Sequence, residues 1–236
     1  MTVSIILLVL GAVAASVFIV SKVINYSLKT IIFKTVASLF FVALGAYLFA
    51  LIPGHFLFKL FTLLGLIFGL LGDVFLGFKY ITTKTKKMWI LLGLFAFAFG
   101  HIFYIAGVFV EYYIPGNALY LILPFVTAFV IGGIYMLIAS KMGVKFGGSM
   151  MPFAIFYLTC LTTMVSSTFY MALLHRFSNI TSILFFVGAF CFGISDFMLT
   201  GAYFKEGQRS KAYMAVYSVF YYLAQFIIAF SIFFLI

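Results

Sequence analysis

The chain has 236 residues, of which 67% are hydrophobic and only 8% charged, against about 25% charged in a soluble domain. No water-compatible surface can be made from this composition, so lipid is the solvent for most of the chain. The formal charge of +10 does not point to nucleic acid, because the Lys and Arg residues lie in short links between apolar runs, where membrane topology accounts for them.

In chain order the apolar runs predict eight helices, at about 3–21, 31–52, 56–78, 88–110, 118–140, 150–173, 180–203 and 213–236. The first run lacks a basic leader and is read as a helix, not as a signal peptide. Pro53-Gly54-His55 separates the second and third helices, Ile114-Pro115-Gly116-Asn117 the fourth and fifth, and Gly147-Gly148-Ser149 precedes the sixth. Links this short predict an all-α, polytopic membrane bundle in one domain. Cys160 and Cys191 fall inside apolar runs and read as small buried hydrophobes. Asn179-Ile180-Thr181 matches a glycosylation sequon and is taken as chance.

Basic residues set the expected orientation. Odd-numbered links and their flanks hold Lys22, Lys29, Lys34, Lys79, Lys84, Lys86, Lys87, Lys141, Lys145, Lys205, Arg209 and Lys211; even-numbered ones hold Lys59 and Arg176. The positive-inside rule then puts the odd links in the cytoplasm and both termini on the non-cytoplasmic side. In a bacterial cell the membrane would be the plasma or inner membrane.

Only four acids occur. Glu206 lies in a link and Glu111 at a helix end beside Tyr112. Asp73 and Asp196 fall inside helices, where an Asp costs about 2.5–3.5 kcal/mol to insert and is usually functional or paired. At the helical rise, Asp73 lies about 9 Å from Lys79 and Asp196 about 13.5 Å from Lys205, while His101 is about 21 Å from Lys87. The two carboxylates are thus expected at similar depth, with the histidine deeper.

Their surroundings read as packed faces. Gly65, Gly69, Asp73 and Gly77 recur every four residues, a spacing that lets helices approach closely. The fourth helix aligns Phe97, His101, Tyr104, Val108 and Glu111. The eighth aligns Tyr213, Tyr217, Tyr221 and Gln225, and the sixth Thr159, Thr163, Ser166 and Tyr170. The polar members of these stripes are expected to line one cavity. In the competing reading each Asp is a protonated or paired link between helices, without chemistry. No HxxxH or CxxC spacing occurs, and no metal or other cofactor is expected. His101 follows Asp73 by 28 residues and Gln225 follows Asp196 by 29, which suggests a four-helix duplication with a site at the repeat interface.

Leu66–Leu76 (LIFGLLGDVFL), Phe97–Phe109 (FAFGHIFYIAGVF), Phe190–Thr200 (FCFGISDFMLT) and Tyr221-Tyr222-Leu223-Ala224-Gln225 together resemble the ordered motifs of the YhhN-like family of transmembrane lysoplasmalogenases. The resemblance covers essentially the whole chain. It implies hydrolysis of the sn-1 vinyl ether of a lysoplasmalogen to a fatty aldehyde and a glycerophospho-ethanolamine or -choline. Asp73 then matches the family's GD motif, His101 its His-bearing motif and Asp196 its SD motif. The family's second helix usually starts with Lys-Pro, whereas Lys29-Thr30 and Lys34-Thr35 stand here without proline.

Vinyl-ether hydrolysis needs a proton donor, an anion near the oxocarbenium ion and a placed water. Two carboxylates in different environments can supply these roles, as in glycoside hydrolysis. Asp73 and Asp196 are the expected acid/base pair, in either order. His101 and Tyr104 would orient a carboxylate or the water. Gln225 and Tyr221 would hold the glycerol or the water, and Lys34, Lys79 or Lys205 the phosphate. The expected partners are a lysophospholipid from the membrane and water. The alternative function is a proton-coupled transporter or lipid-moving protein using the same Asp residues; no pair of broken midspan helices favours it.

Overall fold

A computed structural model of the chain describes residues 1–82, 84–112, 119–141, 150–204 and 210–235. The expected breaks at 114–117 and 147–149, together with Lys145, Lys205, Glu206 and Arg209, lie outside the described residues. Eight helices follow one another: α1 Thr2–Ile24, α2 Leu28–Leu51, α3 Phe56–Phe78, α4 Lys86–Tyr112, α5 Leu119–Lys141, α6 Met151–Leu174, α7 Ile180–Phe204 and α8 Lys211–Ser231, closed by a 3-10 turn at Ile232–Phe234. All eight are long and apolar enough to cross a membrane. No strand occurs among the described residues. The architecture is the all-α, multi-pass bundle expected.

The helix ends are fixed by specific polar contacts. The α1 helix runs a turn past the expected boundary, and there Ser21 Oγ lies 2.8 Å from Thr30 Oγ1. The α2 helix starts three residues early, because the Ser27 N–H donates to Thr30 Oγ1 at 3.1 Å and so satisfies an otherwise orphan donor. Between α2 and α3 the chain turns through Gly54 and His55, both with positive φ. Lys59 folds back from α3 and donates to the carbonyls of Phe49, at 3.1 Å, and Ile52. This buried lysine caps the C-terminal end of α2, where a cation complements the helix dipole. Asn179 Oδ1 accepts the Ser182 N–H at 2.9 Å, so the residue of the sequon match is the N-cap of α7. Ser210 caps α8 in the same way through the Tyr213 N–H.

Consecutive helices pack as hairpins in α1–α2, α3–α4 and α7–α8, and α2 also lies on α3. The bundle closes through α4 on α6, α6 on α7, and α8 on α1, α2 and α3. α8 is the most buried span, and α5, which packs on α6, the least. α8 therefore stands at the centre and presents its tyrosines to several neighbours at once.

The glycine stripe of α3 makes room for the side chains of that centre. A Cβ at Gly65 would run into the ring of Tyr104, and one at Gly69 would come 2.5 Å from Gln225 Nε2. Gly65→Ala is expected to destabilise the bundle by about 1–3 kcal/mol through overpacking. A thermal-unfolding midpoint in detergent equal to that of the wild type would contradict the close approach.

Candidate functional site

Asp73 is 1% exposed, yet its carboxylate is fully engaged. Lys34 Nζ lies 2.8 Å from Oδ1. Ser38 Oγ donates to Oδ2 at 2.5 Å and Tyr221 OH donates to the same oxygen at 2.7 Å. Lys34 and Ser38 reach it from consecutive turns of α2, since residues four apart share a helix face. Behind Tyr221 the chain of contacts continues: Gln225 Nε2 donates to Tyr221 OH at 3.3 Å, and Tyr104 OH donates to Gln225 Oε1 at 2.8 Å. One network thus joins α2, α3, α4 and α8.

Asp196 is served differently. Its Oδ2 accepts from Tyr157 OH, and that hydroxyl lies 3.3 Å from His101 Nε2. His101 is held by an edge-on contact with Phe192, 4.8 Å between ring centres. Among the described residues no cation lies within ion-pair distance of Asp196. Of the two buried acids, one faces an ammonium and the other a phenol.

Both carboxylates line a single cavity of about 1020 Å³, its open mouth included. Its remaining wall is largely apolar, with Ile90 and Leu94 from α4, Met136 from α5, Ala154 from α6 and Leu199 from α7. Tyr217 and Tyr221 line it as well, while His101, Tyr104 and Gln225 stand behind the wall. These three touch the carboxylates through Tyr157 and Tyr221, not directly.

The expected α6 stripe is corrected. Thr159 is exposed and donates to the Ile155 carbonyl. Thr163 and Ser166 are buried away from the cavity, and Tyr170 lines a smaller one with Phe109 and Tyr112. The face that α6 turns to the site is Ala154, Tyr157, Leu158 and Leu161. At 3.6 residues per turn Thr159 lies on nearly the opposite side from Tyr157. Three contributors were thus not expected from the sequence: Tyr157, Ser38 and Lys22, the last of which also lines the cavity. Ser38 carried a usable signal, standing four residues after Lys34. Tyr157 and Lys22 carried none beyond being polar in an apolar helix.

The profile of the YhhN family matches residues 29–232. The chain belongs to the YhhN family. Every member of the two carboxylate networks falls within the matched stretch, and most of the chain that precedes it is α1. No curated protein and no solved structure matches the chain. Membership in the YhhN family is consistent with a multi-pass membrane enzyme.

Proposed function

We propose that the cavity is the active site of a lysoplasmalogenase, an intramembrane hydrolase of the sn-1 vinyl ether. The observation that carries this reading is the pair of carboxylates on one apolar-walled cavity in opposite electrostatic settings. Such a split is what separates an acid from a base in two-carboxylate hydrolases. Asp73, compensated by Lys34, is the charged member. Asp196, with no cation beside it among the described residues, is the member that brings a proton.

The reaction then runs as follows. Asp196 delivers its proton to the β-carbon of the vinyl ether. The C=C electron pair forms the new C–H bond and leaves an oxocarbenium ion. The carboxylate of Asp73 stabilises this cation and takes a proton from the attacking water. The hemiacetal then collapses, with its hydroxyl proton returning to Asp196 and the proton on Asp73 passing to the departing glycerol oxygen. The net change is one water consumed for one fatty aldehyde and one glycerophospho-alcohol, with both Asp residues restored. Tyr157 fixes the orientation of the Asp196 carboxyl, and its oxygen takes a second bond from His101 Nε2. Tyr221 and Gln225 do the same for Asp73. The apolar walls suit the alkenyl chain. With the lysine-rich links in the cytoplasm, a lysolipid reaches the site from the inner leaflet.

The test is incubation of the purified protein in detergent with vinyl-ether, alkyl-ether and ester lysolipids. Aldehyde release from the vinyl ether alone is the expected result. Absence of aldehyde from every vinyl ether would overturn the reading, and ester cleavage would move the chemistry to acyl hydrolysis.

A further inference from the structure

The cavity occupies only half the length of the bundle. Counted from the end that carries the α1–α2 and α3–α4 links, every described residue that lines it lies no further in than the middle of its helix. On α3 the lining stops at Asp73 and on α8 at Tyr221, and on α7 it runs no further than Ser195, beside Asp196. Deeper in the bundle the space is filled. Phe192 stands edge-on to His101, 4.8 Å between ring centres, and Phe185 edge-on to Tyr104 at 5.7 Å. Each of these four rings is only 1% exposed. The two carboxylates therefore sit at the floor of the cavity.

This floor limits where a lipid chain can go. A chain spans one leaflet, about 15 Å, half the thickness of a hydrocarbon core. Past Tyr157, which serves Asp196, the cavity wall on α6 continues only to Leu161, one helical turn or about 6 Å. With an ether bond at the carboxylates, the chain attached to it has no depth left inside the bundle and leaves sideways. The wall also tells the two ends of a lysolipid apart. Lys22, Lys34 and Ser218 come from α1, α2 and α8, whereas α4, α5 and α7 contribute Ile90, Leu94, Met136 and Leu199. The chain belongs on the second side.

On that side one helix is loosely seated. α5 is the least buried span and packs on α6. A Cβ at Gly133 would meet no described atom within 4 Å, and one at Gly132 only Thr162 Oγ1 at 3.8 Å. α6 and α7 approach one another in mid-bundle, where a Cβ at Gly193 would come 3.5 Å from Val165. Toward the mouth a side chain of α5 joins them. Tyr135, half-buried, lines the cavity and sets its ring edge-on to Phe197 of α7, 5.1 Å between ring centres. Phe197 is 37% exposed, and Ile134 and Ile138, which flank Tyr135 on α5, are 52% and 42% exposed. The Tyr135 ring is thus the layer between the cavity and the lipid-facing surface of α5 and α7.

We propose that the chain of a lysolipid leaves the cavity past Tyr135, between α6 and α7, and lies in the bilayer with its ether bond still at the carboxylates. The assignment rests on reading the cavity as a lysolipid site. The hydrocarbon of a bilayer is as apolar as a leucine-lined pocket, so enclosing the chain would add little affinity. Selection then falls on the head and on the first carbons of the chain, and chain length is not read. Tyr135 is the residue that meets the chain at its exit.

The test reads binding, not turnover, and uses the wild-type protein in neutral-detergent micelles. Affinity is read from the fluorescence of Trp89, the chain's single tryptophan, next to Ile90 of the cavity wall. Uncleavable 1-alkyl lysophospholipids with dodecyl, hexadecyl and eicosyl chains are compared at equal mole fraction in the micelle. Their affinities are expected to agree within about 3-fold, since added methylenes stay in hydrocarbon whether the lipid is bound or free. A fall of about 10-fold or more with length, the scale of overpacking a closed site, would overturn the proposal. In a second arm the hexadecyl ether carries a photoreactive diazirine a few carbons from the ether oxygen. Its adducts are expected on Tyr135, Met136 or Phe197, suppressed by excess plain ether. Suppressible adducts confined to Ile90, Leu94 or Leu161 would put the chain elsewhere and overturn the path. Adducts on Tyr135 that excess ether leaves unchanged would report bulk lipid and overturn it as well. Length-independent binding with suppressible adducts at Tyr135, but no aldehyde from any vinyl ether, would sink the proposed reaction and leave the path standing. Aldehyde release with a sharp limit on chain length would do the reverse.

Discussion

On the proposed reaction, Asp196→Asn is expected to lower the kcat for aldehyde release by about 10³-fold, the middle of the range for losing a general acid. The substitution keeps the shape of the side chain and its hydrogen bond from Tyr157 OH. It removes only the transferable proton. Asp196 is 6% exposed and has no ion-pair partner among the described residues, so neutral Asn leaves no stranded charge and the unfolding temperature should hold. Tyr157→Phe is the graded companion. It keeps the ring but deletes the hydroxyl between Asp196 and His101, and about a 10-fold fall in kcat is expected, the scale of one lost charge-assisted hydrogen bond. Unchanged turnover in Asp196→Asn would remove this residue from the chemistry whatever happened at Asp73.

Asp73→Asn should lose both activity and stability. Its carboxylate faces Lys34 Nζ at 2.8 Å, with the acid 1% and the lysine 15% exposed. Neutralising one partner of a buried pair strands the other, at a cost of about 3–5 kcal/mol. A loss of activity alone would therefore not separate catalysis from folding. The double variant Lys34→Met/Asp73→Asn makes that separation, because it removes the stranded charge along with the carboxylate. Its unfolding temperature is expected to recover toward the wild type while turnover stays abolished. Recovery of turnover together with stability would reduce Asp73 to a link between helices. The cycle of two single variants and one double also measures the coupling between the two side chains directly.

Much of this arrangement was legible in the sequence because a membrane raises the cost of exceptions. Asp73, His101 and Asp196 stood out as ionisable groups in apolar helices. The four-residue spacings Gly65–Gly69–Asp73 and Tyr217–Tyr221–Gln225 placed their members on common faces, and the structure brings those faces together. The pairing of side chains across helices was not legible. Nothing in the spacing of α6 tells which of its polar residues points inward. The expected stripe included Thr159 and not Tyr157, whereas Thr159 satisfies its hydroxyl on its own backbone, as Ser and Thr readily do inside helices. A tyrosine hydroxyl stands too far from its own backbone to do so and must find a partner elsewhere. Lys34 shows the same limit from the other side. Charge and position marked it for the lipid phosphate, whereas contact with Asp73 depends on how α2 is rotated against α3. Lys22 looked like one more topological lysine at a helix end, and only the packing of α1 on α8 distinguishes it from Lys29.

The supports of the two acids cross the middle of the chain. Asp73 belongs to the first four helices, and Tyr221 and Gln225, which brace it, belong to the last four. Asp196 belongs to the last four and depends, through Tyr157, on His101 in the first four. Each half by itself keeps part of this support, Lys34 and Ser38 at Asp73 and Tyr157 at Asp196, but the full set of contacts around both acids is complete only when the whole bundle has closed. A nascent chain therefore completes the surroundings of Asp73 only when α8 arrives with Tyr221 and Gln225.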